Sequence, residues 1–126
     1  MKKIAFALGL TVLFCSLLSI PNTFADGDPL VVGPNIYKLV FENDQVRVLD
    51  VHFKVGDKIA EHSHPNHFVY VLEAGTIKIS HPDGTSQTIE GKVGDVVWVN
   101  AETHSAENIG TTAFHALVVE LKKNPA

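Results

Sequence analysis

Three histidines lie within six residues, at positions 62, 64 and 67, directly before an apolar stretch that is typical of a strand. Side chains two residues apart in an extended segment point the same way, so His62 and His64 present two imidazoles to one side. Such a pair is a common two-ligand arrangement for a transition metal. A third ligand must come from a distant segment, and His104 in "NAETHSAEN" is the strongest candidate. The alternative is a set of exposed loop histidines, and the paired spacing together with His104 favours ligation.

The segments that must position these histidines predict an all-β fold. Residues 36–43 and 45–55 are rich in Val, Leu and Phe and lack helical spacing. "HPDGTS" is a Pro-Asp-Gly turn, and Gly75 favours a hairpin between the strands of "FVYVLEAGTIKIS". No window after the apolar N-terminal run is typical of an amphipathic helix. Short strands at this spacing predict a closed antiparallel barrel or sandwich, in which distant strands become neighbours.

The first 25 residues are typical of a signal peptide. "MKK" is basic, residues 4–20 are an uncharged run of 17, and small residues precede a cleavage site near Ala25. A retained membrane anchor is the alternative, because the run approaches the length of a span, but no basic stop-transfer cluster follows. We therefore predict a periplasmic or secreted protein. Its parts are a signal peptide (1–25), a leader (26–34), one β-barrel domain (35–122) and a C-terminal tail (123–126).

The composition of the processed chain narrows the possible partners. Cleavage removes Cys15, the only cysteine, so disulfides and thiolate chemistry are excluded. Cleavage also removes Lys2 and Lys3, which leaves eight basic residues against 14 acidic ones and a formal charge of −6. A chain with this charge has no evident surface for nucleic acid. We expect a small-molecule ligand as the partner, with no nucleic acid and, after cleavage, no membrane.

Two short motifs resemble those of the cupin superfamily of small β-barrels. The first motif is usually Gly, five residues, His-x-His, three or four residues, Glu, six residues, Gly, and "GDKIAEHSHPNHFVYVLEAG" (56–75) matches its glycines and its histidine pair. The second usually contains Gly, Pro, His and Asn, and "GDVVWVNAETHSAEN" (94–108) matches it with Gly94, His104 and Asn108. The resemblance covers most of residues 35–122. It implies a single-domain jelly-roll barrel with a metal held by histidines.

A finer resemblance concerns "HSHPNHFVYVLEAG" together with "HALVVELK". These stretches are similar to the small single-domain cupins of the BauB-like group, named for a proposed role in β-alanine degradation. The activity of that group is poorly defined. The finer resemblance therefore adds little about the substrate.

The chain departs from the cupin motifs at positions that matter for the metal. The usual glutamate ligand falls at Phe68, which cannot bind a metal. His67 is one position earlier, and "PN" before it can reset the strand parity, so His67 is either a fourth ligand or a residue that supports the ligands. Asn100 replaces the proline of the second motif. Glu102, near His104, is either a substitute carboxylate or a solvated loop side chain.

A centre of neutral imidazoles predicts a divalent transition metal (Fe, Zn, Mn or Ni), because imidazole suits several of these ions. Such a metal keeps its full charge, which favours a Lewis acid that acidifies water or holds an anionic substrate. One hypothesis is an enzyme of the dioxygenase, isomerase or hydrolase type that acts on a small organic acid. The alternative is a non-catalytic protein of the cell envelope that binds a metal or a small solute.

Four further residues are candidates for the substrate pocket. Phe68 and Tyr70 share parity next to the histidine cluster and are predicted either as pocket wall or as core packing. His115 shares parity with two apolar residues of its strand and is predicted to point into the barrel, as a core histidine or a pocket base. Glu102 is the fourth. His52 is expected at the surface, and the face on which Arg47 lies is ambiguous.

The apolar segment "LVVGPNIYKLVF" (30–41) near the start of the processed chain is typical of a strand at a sheet edge. Edge strands offer unpaired backbone groups to a second chain. We therefore predict a homodimer that forms by pairing or swapping of this segment.

Overall fold

The computed structural model describes residues 27–123, so the predicted signal peptide and most of the predicted tail lie outside the described residues. Within that range the chain forms one short helix and nine strands. The helix is α1 (Pro29–Val32). The strands are β1 (Tyr37–Glu42), β2 (Val46–Phe53), β3 (Lys58–His64), β4 (His67–Glu73), β5 (Gly75–Ser80), β6 (Ser86–Gly91), β7 (Val96–Val99), β8 (Glu102–Asn108) and β9 (Phe114–Leu121).

The strands form two antiparallel sheets that enclose one core. The five-stranded sheet has the order β1-β2-β9-β4-β7, and the four-stranded sheet has the order β3-β8-β5-β6. Leu49, Val51 and Phe53 of β2 are buried, as are Ile77 and Ile79 of β5. These residues alternate with more exposed ones, as expected when one face of each sheet covers the core. The prediction of an antiparallel all-β fold is confirmed.

The order of the strands corrects one prediction and confirms another. β4 and β5 do not form a hairpin, since β4 pairs with β7 and β9 while β5 pairs with β6 and β8. The chain changes sheets at residues 73–75, and a Cβ at Gly75 would lie only 2.9 Å from the Cβ of Phe114. Glycine is therefore needed there for close packing. By contrast, the Pro-Asp-Gly turn does join the hairpin β5–β6, with Gly84 at a φ of +86°.

The segment before β2 is only partly extended. Pro29–Val32 is a helical turn, capped by Asp28, whose Oδ1 accepts from the Leu30 N–H at 2.9 Å. No helix is expected there from the sequence pattern, and the local Asp-Pro start explains the difference. β1 follows at the edge of the five-stranded sheet and pairs with β2 of its own chain. No helix within residues 27–123 has the length and apolar character to cross a bilayer.

Candidate metal centre

The two histidine-bearing segments meet in the four-stranded sheet. β3 and β8 are antiparallel neighbours, and their register places His62 directly opposite His104, while His64 follows two residues later on the same face. All three side chains are buried, and His62 is 0% exposed. One ring nitrogen of each lies within 4.8 Å of a ring nitrogen of the other two. The distant imidazoles therefore converge as the sequence predicted.

Hydrogen bonds at the Nδ1 atoms fix how the three rings are presented. Nδ1 of His62 lies 2.8 Å from the Ala60 carbonyl oxygen. Nδ1 of His64 lies 2.6 Å from Oε1 of Glu120, and Nδ1 of His104 lies 2.5 Å from Oε1 of Glu102. Carbonyl and carboxylate oxygens only accept, so we infer that each Nδ1 carries the proton. Each neutral ring then keeps a lone pair on Nε2, the atom with which it can bind a metal.

Burial keeps these rings in the neutral form that a metal requires. It lowers the pKa of His62 from the ordinary 6.5 to about 4, more than the Ala60 hydrogen bond raises it. Burial also lowers the pKa of His64 and of His104, although a hydrogen bond to a glutamate opposes the shift in each case. Three neutral nitrogen donors in a buried cluster fit a divalent transition metal. The donor set is therefore compatible with the predicted cofactor.

A buried charge network that was not predicted from the sequence supports His64. Glu120 of β9 is 2% exposed and joins His64 to Arg47, whose Nε donates to Glu120 Oε2 at 2.6 Å. Arg47 also donates through Nη1 to Asp28 Oδ2 at 2.6 Å. Burial raises the pKa of Glu120, but the hydrogen bonds from His64 and Arg47 outweigh it and lower the pKa overall. Glu120 thus stays anionic and holds the Nδ1–H of His64.

The sequence contained only part of the signal for this network, because the inward parity of β9 is known from the burial of its residues in the structure. Glu120 alternates with Ala116 and Val118, both of which are buried, so a carboxylate shares the parity of core residues. Arg47, the only arginine, shares the parity of Leu49 and Val51 on the neighbouring strand. Buried charges require partners. Two opposite charges on core parities therefore indicate a buried ion pair, and β2 and β9 place them directly opposite each other.

A cavity of about 550 Å³ between the sheets adjoins the histidines. His64, His67 and His104 reach its wall, as does Glu102. His62 is not part of the wall, and its Nε2 lies 3.5 Å from the Tyr37 hydroxyl. Most of the remaining wall is apolar, and among residues 27–123 no lysine or arginine contributes to it. The size and lining are typical of a site for a small organic molecule.

His67 lies beside the three-histidine group and is not one of its members. Its ring centroid is 4.8 Å from that of His64, and its Nδ1 is bonded to the Pro65 carbonyl oxygen at 2.8 Å. Its side chain is buried and faces the cavity. The parity reset at "PN" thus occurs. Whether His67 binds a metal as a fourth ligand stays a prediction.

Three predicted pocket residues lie on the outer face of the five-stranded sheet instead. Phe68 and Tyr70 are not part of the cavity wall, because His67, Val69 and Val71 are the residues of β4 that face inward. His115 also points outward, since the buried positions of β9 are Ala116, Val118 and Glu120. The three predictions were wrong because each assigned the wrong parity to its strand. Glu102 does line the cavity, where it hydrogen-bonds to His104.

We expect the metal-free protein to lose stability as the pH falls from about 6.5 towards 4. Histidines of the unfolded chain titrate near pH ~6.5, whereas folded His62 titrates near 4. Between these values the unfolded state binds a proton that the folded state does not, so the free energy of unfolding decreases with acidification. His62 contributes at most about 3 kcal/mol to this decrease.

Urea unfolding of the metal-free protein at about pH 7 and about pH 5 measures this decrease in the free energy of unfolding. Both pH values lie above the range in which most carboxylates titrate, so the change reports mainly on histidines. His81→Ala serves as a control, because its imidazole is outside the buried group and the slope with pH should persist. An unfolding free energy that does not change between the two pH values would contradict the neutral, buried state of the cluster.

Comparison with solved structures shows which proteins share this architecture. A cupin domain from Bordetella pertussis matches with a TM-score of 0.64 and 23% identity, covering 70% of this chain and 93% of that one. A double-stranded β-helix protein from Klebsiella pneumoniae matches at 0.57 and 24% identity, over 72% and 74%. A cupin family protein of the RmlC-like type from Methanocaldococcus jannaschii matches at 0.56 and 14%, over 68% and 78%.

Comparisons of sequence gave no match. No model of a protein family matches the chain, and no curated protein does so either. At identities below 25% the likeness to solved structures concerns the fold and not the activity. The chain thus has the fold of the cupin domains, a double-stranded β-helix of two antiparallel sheets, as the two sequence motifs implied.

Proposed function

We propose that the protein is a cupin that holds a divalent transition metal through the Nε2 atoms of His62, His64 and His104, and that it binds a small organic acid there. The observation that carries the proposal is the presentation of the three rings. Each Nδ1 is bonded to an oxygen that only accepts, so three Nε2 lone pairs are left within one buried cluster. The metal is one of Fe, Zn, Mn or Ni.

The charge of the proposed metal supports an organic acid as the ligand. When bound, the ion supplies a positive charge that attracts a carboxylate and polarises it. The wall residues described above include carboxylates and no lysine or arginine, so binding of an acid would depend on the ion. Apolar side chains such as Val51, Phe53 and Phe114 would enclose the hydrocarbon part and exclude water. Glu102 and Glu120 keep two of the imidazoles in the required orientation.

The test compares small carboxylic acids with their primary amides, titrated calorimetrically into metal-loaded and metal-free protein. Short carboxylic acids of different chain lengths are the first compounds to try, because the cavity of about 550 Å³ has room for a small organic molecule. We expect an acid to bind at least about tenfold more tightly when the metal is present, a difference of roughly 1.4 kcal/mol. The uncharged amide should show a smaller gain. Equal binding of the acid to both forms would contradict the proposal.

A second candidate function, a metal-dependent enzyme of the dioxygenase, isomerase or hydrolase type, is favoured by His67. This histidine faces the cavity outside the three-histidine group. Its Nδ1 is held by the Pro65 carbonyl oxygen, which leaves Nε2 as the ring atom that could accept a proton from a bound ligand. Replacement of His67 by glutamine distinguishes a role of this residue as a base from a role as a fourth metal ligand.

As a base, His67 is needed for turnover, and its loss should leave metal affinity within about twofold of the original value. As a ligand, its loss should weaken metal binding by more than about tenfold. Absence of turnover of any acid that binds, under aerobic and anaerobic conditions, would leave the non-catalytic envelope binding protein as the function.

We also propose that the chain is exported to the periplasm or secreted, with cleavage near Ala25. The support is the sequence of residues 1–25, which combines a basic start, an uncharged apolar run and small residues before the cleavage site. Mass spectrometry of the N-terminal peptide from the envelope fraction tests this. A peptide that begins before Ala25, or a protein that remains inside the cell, would contradict it.

A homodimer is proposed through the edge strand β1. This strand exposes three apolar side chains, those of Leu39, Val40 and Phe41, beside a sheet edge that has no partner strand within residues 27–123. Pairing of two β1 strands would satisfy both edges and cover these side chains. Sedimentation equilibrium should give twice the chain mass, and a single species at the mass of one chain would rule the dimer out.

A further inference from the structure

A second cluster of histidines and a carboxylate lies on the outer face of the five-stranded sheet. Asp50 and His52 are two residues apart on β2, so both point outward, and His115 lies directly opposite His52 on β9. The two imidazoles are stacked, with centroids 3.6 Å apart and planes inclined by 20°. Both direct Nε2 at the same carboxylate, His115 at 2.6 Å from Oδ1 and His52 at 3.2 Å from Oδ2 of Asp50.

This outer cluster is separate from the buried centre. Alternation along β2 places Val51 in the core between the outward-facing Asp50 and His52, and Ala116 is buried next to His115 on β9. The sheet itself therefore lies between the two groups of histidines. A single ion cannot be shared by them, and changes at one group leave the donors of the other in place.

The donors of the outer cluster meet the requirements of a transition-metal site. One ring nitrogen from each histidine and one carboxylate oxygen lie within 4.8 Å of one another. In the absence of an ion, each Nε2 donates its proton to the Asp50 carboxylate, so an ion would replace these protons and each ring would carry its proton on Nδ1 instead. His52 is 54% exposed, so its ring can leave the stack and rotate Nε2 towards an ion without disturbing the core. Lys38 of β1 pairs with Asp50, and its positive charge disfavours a bound cation. Glu73 of β4 pairs with His115, and its negative charge favours one. The local charge therefore does not exclude a divalent ion.

We propose that Asp50, His52 and His115 form a second metal site, which takes an exchangeable divalent transition ion such as Zn²⁺, Cu²⁺ or Ni²⁺ at the protein surface. Two imidazoles and one carboxylate suit these ions better than Mg²⁺ or Ca²⁺, which prefer all-oxygen sites. The remaining coordination positions face solvent. Because His52 must be reoriented, the outer site should bind more weakly than the buried centre. It would load and release ions at concentrations at which the buried site stays filled.

Equilibrium dialysis of the full chain against Zn²⁺, prepared without a histidine tag, tests the proposal. We expect a tight class of site and a weaker class. His52→Ala should remove one equivalent from the weaker class, and Asp50→Asn, which keeps the shape of the side chain but not its charge, should weaken that class at least tenfold. His81→Ala, which removes a histidine that belongs to neither group, should match the original protein.

The outcomes for the two sites can be told apart. His104→Ala should remove the tight class of Zn²⁺ site and leave the weaker class. The outer site can therefore be tested even if the proposed function is wrong. The outer site is rejected if His52→Ala binds as much Zn²⁺ as His81→Ala across the whole titration. It is also rejected if the weaker class disappears in His104→Ala and persists in Asp50→Asn.

Discussion

Replacement of His104 by alanine is expected to abolish tight metal binding at the buried centre. The substitution removes one of three Nε2 donors and leaves His62 and His64, both from one strand, as the remaining pair. Loss of a group that only supports a ligand typically costs ~10–100-fold in affinity, so loss of a ligand should cost more than about 100-fold. Titration with Zn²⁺ or Co²⁺, followed by elemental analysis after dialysis, measures this.

His81→Ala is the matched control for this experiment. It makes the same chemical change at a histidine whose ring centroid is 6.4 Å from that of His104 but which is outside the three-histidine group. Its metal content and affinity should equal those of the original chain. If His104→Ala retained the original affinity, His104 would not be a ligand and the proposed centre would be wrong.

Replacement of Glu120 by alanine is expected to destabilise the fold by about 3–5 kcal/mol, the usual effect of removing one partner from a buried ion pair. The substitution leaves Arg47 with Asp28 as its remaining partner and removes the acceptor of the His64 Nδ1–H. These groups are mostly shielded from water, which cannot fully replace the lost bonds. Chemical denaturation of the metal-free protein at neutral pH measures the change.

Glu107→Ala is the control for Glu120→Ala. Glu107 pairs with Lys58 at 3.1 Å, but the Lys58 side chain is largely exposed, so the loss should be no more than about 1 kcal/mol. Glu120→Gln adds a separate measurement on the metal. This variant keeps the size of the side chain and should weaken metal binding by about 10–100-fold. A Glu120→Ala protein as stable as Glu107→Ala would show that the network contributes nothing.

The histidine cluster could be predicted from sequence because its geometry depends on local rules. The spacing of His62 and His64 places them on one face of any strand, whatever the rest of the fold. His104 requires only that its strand pair with theirs, which an antiparallel barrel with two histidine-bearing segments permits. The motifs therefore carried information about both the fold and the convergence of the three histidines.

The pocket wall could not be predicted in the same way, because it depends on which parity of each strand faces inward. His64 at the end of β3 and His67 at the start of β4 both face the interior, although three positions separate them. The link through Pro65 and Asn66 shifts the alternation by one residue. Continuation of the β3 alternation would have turned Phe68 inward, and the shift turns it outward.

The inward face of β9 was also difficult to predict from sequence, since both of its faces carry apolar residues. Leu117 and Val119 on one parity are as apolar as Ala116 and Val118 on the other, so hydrophobicity alone did not decide where His115 points. Pairing decides it. Glu120 lies opposite Arg47, and the ion pair fixes the inward parity of both strands. The hairpin predicted at Gly75 failed for a similar reason, because a glycine that permits close packing resembles one that makes a turn.

An anomalous-scattering map of crystals grown with Zn²⁺ is the most direct measurement of the central claim. We predict a peak bonded to Nε2 of His62, His64 and His104 at about 2.0–2.1 Å, the usual zinc–nitrogen distance. A map in which zinc is bound elsewhere while these three rings remain without an ion would contradict the proposed centre.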